Sequence, residues 1–214
     1  MNGGQTLAAC GRAADPTGRL LLLAPGAGSH RDHPTTRALA DVFLARGFDV
    51  VRFDFLYRVA GRARPDRMPQ LKACYAQVAQ HARLAVRPRR LLIGGHSLGG
   101  RVASMLAAEG FDADGLLLLA YPLHPAGRPE QLRDAHLPDI RMPTLCLSGT
   151  RDALCERALM ERVLPRLGSN FAMRWLDGAD HGYNVLKRSG RTRADVLAEI
   201  GAAAQHWART ALPA

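Results

Sequence analysis

Ser97 stands inside Gly95-His96-Ser97-Leu98-Gly99, directly after the apolar run Leu91, Leu92 and Ile93 and before the helical stretch Arg101 to Glu109. A serine hydroxyl that attacks a carbonyl must stand clear of the backbone, so the chain has to reverse sharply there. Glycines two residues to either side make room for such a reversal. Strand, glycine-flanked serine and helix in succession nominate Ser97 as a nucleophile; the pattern without those flanks would be a glycine-rich loop with an inert serine.

A serine is a weak nucleophile unless a base takes its proton and a carboxylate orients that base. Where the nucleophile sits on such a turn, the chain order is serine, acid, histidine. Of the histidines after Ser97, His206 falls within the closing helix and His124 and His136 in a connecting segment. His181 lies in the small-residue turn Gly178-Ala179-Asp180-His181-Gly182 just after the last strand, and is the candidate base. Asp152 ends Gly149-Thr150-Arg151-Asp152, one helix and one strand earlier, and is the candidate acid. Asp177 and Asp180 are its rivals, and capping a helix is the alternative use of Asp152. An oxyanion needs backbone donors. The turn Pro25-Gly26-Ala27-Gly28-Ser29 offers the Ala27 N–H, with Gly28 close behind, and Leu98 follows the nucleophile. Gly28, His30, His96 and Tyr121 are the candidates for substrate contact. The glycine turn lacks the G-K-[ST] ending and the G-x-G-x-x-G spacing, which argues against a nucleotide cradle.

Apolar runs of about five residues alternate with helical periodicity, the pattern of a doubly wound, mostly parallel sheet of six to seven strands in an α/β fold. Strands are expected at Leu20 to Ala24, Asp49 to Asp54, Arg90 to Gly94, Gly115 to Tyr121, Met142 to Ser148 and Phe171 to Leu176, with an edge strand near Gln5 to Cys10. Helices are expected after Pro34, around Leu71 to Ala82, at Arg101 to Glu109, at Glu156 to Leu167, and around Val196 to Trp207. Leu123 to Pro138 has no clear element beyond a short helix near Glu130 to Ala135, and is too short for an independent cap. One domain over residues 1–214 is expected.

The composition, 47% hydrophobic and 22% charged over 214 residues, suits one substantial core. No apolar run reaches the roughly 18 residues of a membrane span. Leu7-Ala8-Ala9-Cys10 resembles a lipoprotein cleavage box, but Met1 to Thr6 has neither positive charge nor room for an apolar leader. Cys10, Cys74, Cys146 and Cys155 have no metal-type spacing, and free thiols in the cytoplasm are expected, with Cys155 the one nearest the candidate acid. A net charge of +10 raises nucleic-acid binding. The arginines are scattered through every segment, however, and only Lys72 and Lys187 are lysines, so a compositional bias explains the charge better.

Gly95-His96-Ser97-Leu98-Gly99-Gly100-Arg101, Tyr121-Pro122-Leu123-His124-Pro125 with Leu137-Pro138 and Pro143, Gly149-Thr150-Arg151-Asp152 and Gly178-Ala179-Asp180-His181 together resemble a small cap-less α/β-hydrolase of the dienelactone-hydrolase-like kind. The resemblance runs from about Leu20 to Trp207. It implies an esterase-type fold and a Ser97, Asp152, His181 triad; hydrolysis by such a triad needs no metal or organic cofactor. Dienelactone hydrolases proper carry cysteine where this chain has Ser97. The expected activity is hydrolysis of a small ester or thioester by a monomer or homodimer that binds neither nucleic acid nor membrane. A binding or scaffold module is the alternative, since the resembling group includes subunits of larger assemblies.

Overall fold

The computed structural model describes residues 5–212. The opening residues 1–4, whose lack of charge bears on the leader, lie outside it. A seven-stranded sheet is built from β1 (Ala8–Gly11), β2 (Arg19–Ala24), β3 (Phe48–Phe53), β4 (Arg90–His96), β5 (Gly115–Leu119), β6 (Thr144–Gly149) and β7 (Phe171–Leu176). Their spatial order is β1-β3-β2-β4-β5-β6-β7, with only β1 antiparallel to its neighbour. The helices are α1 (Pro34–Leu44), α2 (Leu56–Val59), α3 (Met68–Val86), α4 (Leu98–Ala108), α5 (Arg157–Val163) and α6 (Arg193–Thr210).

The central strands are leucine runs because both faces of the sheet are covered. In β2, Leu20 and Leu22 pack toward α3 and α4, while Leu21 and Leu23 pack toward α1 and α6. Helical stripes supply the opposing surfaces, with Leu71, Tyr75, Val102 and Leu106 on one side and Leu39, Phe43, Ile200 and Trp207 on the other. Tyr75 also ties α3 to the middle of the sheet, its hydroxyl oxygen accepting the Gly94 N–H at 2.7 Å.

Two of the expected helices differ in the structure. No helix forms over residues 130–135, because the segment spends its hydrogen bonds on the strand end instead. The Arg133 N–H donates to Leu123 O at 2.7 Å and the Tyr121 hydroxyl to Arg133 O at 2.6 Å; a single helical turn follows at Leu137–Asp139. Helix α5 is also shorter than expected. It stops at Val163 and gives way to one tighter turn, Leu164–Arg166, at Pro165, which lacks the N–H a continuing helix needs.

Candidate active site

The turn between β4 and α4 puts Ser97 in a backbone conformation that L-residues seldom adopt, with φ +52° and ψ −114°. Its amide donates to Leu119 O on β5 at 2.8 Å, and its carbonyl receives the Arg101 N–H at 3.0 Å. The glycines on either side are required by contact with β2. A Cβ on Gly95 would lie 2.6 Å from Ala24 O, and one on Gly99 2.4 Å from the same atom. The elbow is thus wedged against two neighbouring strands, which holds a strained serine in place.

His181 and Asp152 meet Ser97 at this rim. His181 Nε2 is 2.9 Å from Ser97 Oγ, and its Nδ1 is 2.9 Å from each carboxylate oxygen of Asp152. A carboxylate can only accept, so Nδ1 carries the proton and Nε2 turns a lone pair toward the serine hydroxyl. The Asp152 side chain is fully buried, while that of His181 is 27% exposed. Asp152 also accepts the Leu154 N–H at 2.8 Å, whereas the cap of α5 is Glu156. The rival acids are used otherwise. Asp180 Oδ1 accepts the Gly182 and Asn184 amides, each at 2.8 Å, and so shapes the histidine loop; Asp177 is exposed on the same loop.

The glycine turn after β2 faces the elbow. It is closed by the Ser29 N–H donating to Gly26 O at 3.0 Å, and is held from behind by Tyr57, whose hydroxyl donates to Ala27 O at 2.7 Å. Tyr57 is fully buried on α2, one helical turn that the sequence did not disclose. Ala27 is half-buried and Gly28 exposed with open space where a side chain would project. Leu98 is the first residue of α4, where amides have no partner within the helix. His30 and His33 serve the loop itself. The His30 Nδ1 accepts the Asp32 N–H at 3.3 Å, and His33 caps α1 by accepting the Thr35 N–H at 3.2 Å.

His96 faces inward. Its Nε2–H donates to the carbonyl of His181 at 2.9 Å, and its ring lies 5.2 Å from that of His181 and 5.9 Å from that of Tyr183. Its Nδ1 lies 3.2 Å from where a Cβ on Gly26 would be. Burial pulls its pKa down to about 4, so the ring is neutral near pH 7. His96 thus bridges elbow, glycine turn and histidine loop, half-buried beside Ser97. Tyr121 departs from the sequence expectation of a substrate contact. It is fully buried and its hydroxyl is committed to Arg133 O, so it cannot line a cleft.

A family model described as alpha/beta hydrolase domain matches residues 17–209. The chain belongs to that alpha/beta hydrolase family. An alpha-beta serine hydrolase homologue from Coxiella burnetii is similar in structure, with a TM-score of 0.76 at 17% identity, covering 94% of this chain and 92% of that one. A dienelactone hydrolase from Anabaena variabilis matches with a TM-score of 0.74 at 22% identity, over 97% and 93% of the two chains. So does a Xanthomonas campestris protein described as a serine hydrolase without lid, with 0.74 at 20% identity over 98% and 90%. These likenesses are of fold, and the cap-less layout of this alpha/beta hydrolase agrees with them.

Other groups near the site are inert by placement. Cys155 is buried, and burial pushes its thiol up to about 12, which keeps it protonated and unreactive. Among the described residues no group of three or more His, Cys, Asp or Glu side chains is gathered as metal ligands, and no helix is long and apolar enough to cross a membrane.

Proposed function

We propose that the protein is a serine hydrolase that cleaves a small carboxylic ester or thioester through an acyl-enzyme. The observation that carries this reading is the unbroken line from Ser97 Oγ through His181 to the buried Asp152, each step 2.9 Å long. Ser97 Oγ attacks the carbonyl carbon while its proton passes to His181 Nε2. The oxyanion forms against the amides of Ala27 and Leu98. Collapse of the tetrahedral intermediate breaks the bond to the leaving alkoxide or thiolate, which takes the proton back from His181. A water then repeats the sequence on the acyl-serine and releases the acid. Asp152 stays ionised throughout and holds the imidazole in its productive tautomer. The free thiols fit a reducing cytoplasm.

The test is treatment with a fluorophosphonate followed by peptide mass spectrometry. An adduct on Ser97, lost in His181→Ala, is expected. An intact protein free of adduct, together with no hydrolysis of short nitrophenyl esters above buffer, would overturn the proposal in favour of a binding module.

A further inference from the structure

Two glycines leave the turn Pro25-Gly26-Ala27-Gly28-Ser29 with more backbone freedom than a fixed oxyanion donor tolerates, so contacts from outside must hold it. Tyr57 grips Ala27 O from behind, and Ser29 Oγ lies 3.0 Å from the hydroxyl of the buried Thr36. A third tie sits four positions beyond Ala27, at Arg31. The Arg31 amide donates to Asp54 Oδ1 at 2.6 Å and its guanidinium Nη1 to Asp54 Oδ2 at 2.7 Å, so one carboxylate clamps main chain and side chain of the same residue. The Arg31 carbonyl accepts from Arg52 Nη1 on β3 at 2.6 Å.

Asp54 is a fixed post for this clamp. It follows the last residue of β3, its amide donates to Leu7 O at 3.0 Å, and its carbonyl accepts the hydroxyl of Thr6. The Asp54 side chain is 11% exposed and that of Arg31 24%, and a shielded pair that uses both carboxylate oxygens holds its geometry better than a surface ion pair. Asp32 lies 3.1 Å from Arg31 Nε and 3.3 Å from Arg52 Nη1, which balances the two arginines against two carboxylates. The same strand carries a matched clamp near its other end. There Asp49 accepts the Ala13 amide at 2.9 Å and Arg12 Nη1 at 2.7 Å. Because β3 and β4 both run parallel to β2, Asp54 stands at the rim that carries Ser97 and Asp49 near the opposite rim.

We propose that Asp54 and Arg31 are positioning residues of the oxyanion turn, whose clamp keeps the Ala27 amide aimed before substrate arrives. Both act through the backbone of the turn. This role rests on the hydrolase reading of Ser97. An oxyanion exists only beyond the ground state, so a loosened turn lowers kcat and spares KM. Loss of the Asp49 clamp weakens the fold without reaching the turn, and the two ends of β3 therefore separate positioning from support.

The experiment sets Asp54→Asn beside Asp49→Asn. It measures melting temperature, hydrolysis of 4-nitrophenyl butyrate, and inhibition by phenylboronic acid, whose tetrahedral adduct on a serine places an oxygen where the oxyanion forms. Asp54→Asn should lower kcat by about tenfold with KM within about twofold, and should raise the inhibition constant of the boronic acid by a similar factor. Arg31→Gln, which keeps the amide half of the clamp, should lower kcat by about threefold. Asp49→Asn should lose melting temperature yet keep kcat within about twofold. The positioning role is overturned, and the hydrolase left standing, if Asp54→Asn and Arg31→Gln both keep kcat within about twofold of wild type, if Asp49→Asn loses as much, or if the change is confined to KM. Should Asp54→Asn not fold, Arg31→Gln decides by the same criteria. If the wild type cleaves no ester and takes no fluorophosphonate on Ser97, the hydrolase reading fails and the role of the clamp with it.

Discussion

The Nε2–H of His96 reaches the carbonyl oxygen of His181 at 2.9 Å, so the residue before the proposed nucleophile grips the backbone of the proposed base. The two are 85 positions apart in sequence. Their bond ties the histidine loop directly to the elbow. Replacing His96 by Phe should lower kcat by about tenfold with little change in KM, because the base loses its orientation and not its substrate contacts. His96→Gln, which keeps a donor at a similar reach, should recover part of the rate. Steady-state kinetics of the two variants side by side provide the check.

The same ring gives a pH signature of stability. Its folded pKa of about 4 lies below the value near 6.5 of an unfolded histidine, so the folded state resists a proton that the unfolded state accepts. Stability from this group is complete above about pH 6.5 and falls as the pH drops from there toward 4. Urea titrations across that range should show wild type losing its advantage over His96→Gln; a constant difference between them would contradict the argument.

Asp152→Asn keeps the shape of the acid but allows the imidazole to turn its other tautomer to the serine. A fall of about 10⁴ in kcat is expected, as in other triads. The fluorophosphonate should label this variant far more slowly than wild type, while its melting temperature reports separately on the loss of the buried carboxylate.

Gly99→Ala tests the wedge at the elbow. The added methyl would meet the carbonyl of Ala24 at 2.4 Å, and a backbone atom within a central strand cannot step aside. A loss of at least about 2 kcal/mol in urea unfolding is expected, together with most of the activity.

Tyr57→Phe removes the donor behind the glycine turn and leaves Ala27 O without the partner it has at 2.7 Å. The Ala27 amide would then be less firmly aimed. A drop of about tenfold in kcat, larger than any rise in KM, is the expected outcome, since the oxyanion exists only beyond the ground state.

The apolar strands and the helical stripes were legible because burial on both faces of the sheet leaves an unmistakable run of leucines in β2 and β5. Single-turn elements were not. The four residues of α2 are too few to show a period, and the segment 130–135 has helix-compatible residues whose hydrogen bonds are claimed by Leu123 and Tyr121. Ser97, His181 and Asp152 could be singled out because each follows a strand end. The groups that hold them could not. Tyr57 looks like one more core aromatic, His96 like a substrate contact, and Tyr121 like a rim residue, since nothing in local spacing records a partner across the fold.

The torsion angles at Ser97 limit which chemistry its position can carry. A second substituent on the β-carbon would crowd the backbone at φ +52°, so threonine, though it bears the same hydroxyl, is a poor replacement, whereas cysteine retains the single unbranched arm. Exchange of oxygen for sulfur is therefore open to this hydrolase by one substitution, and exchange of a primary for a secondary alcohol is closed.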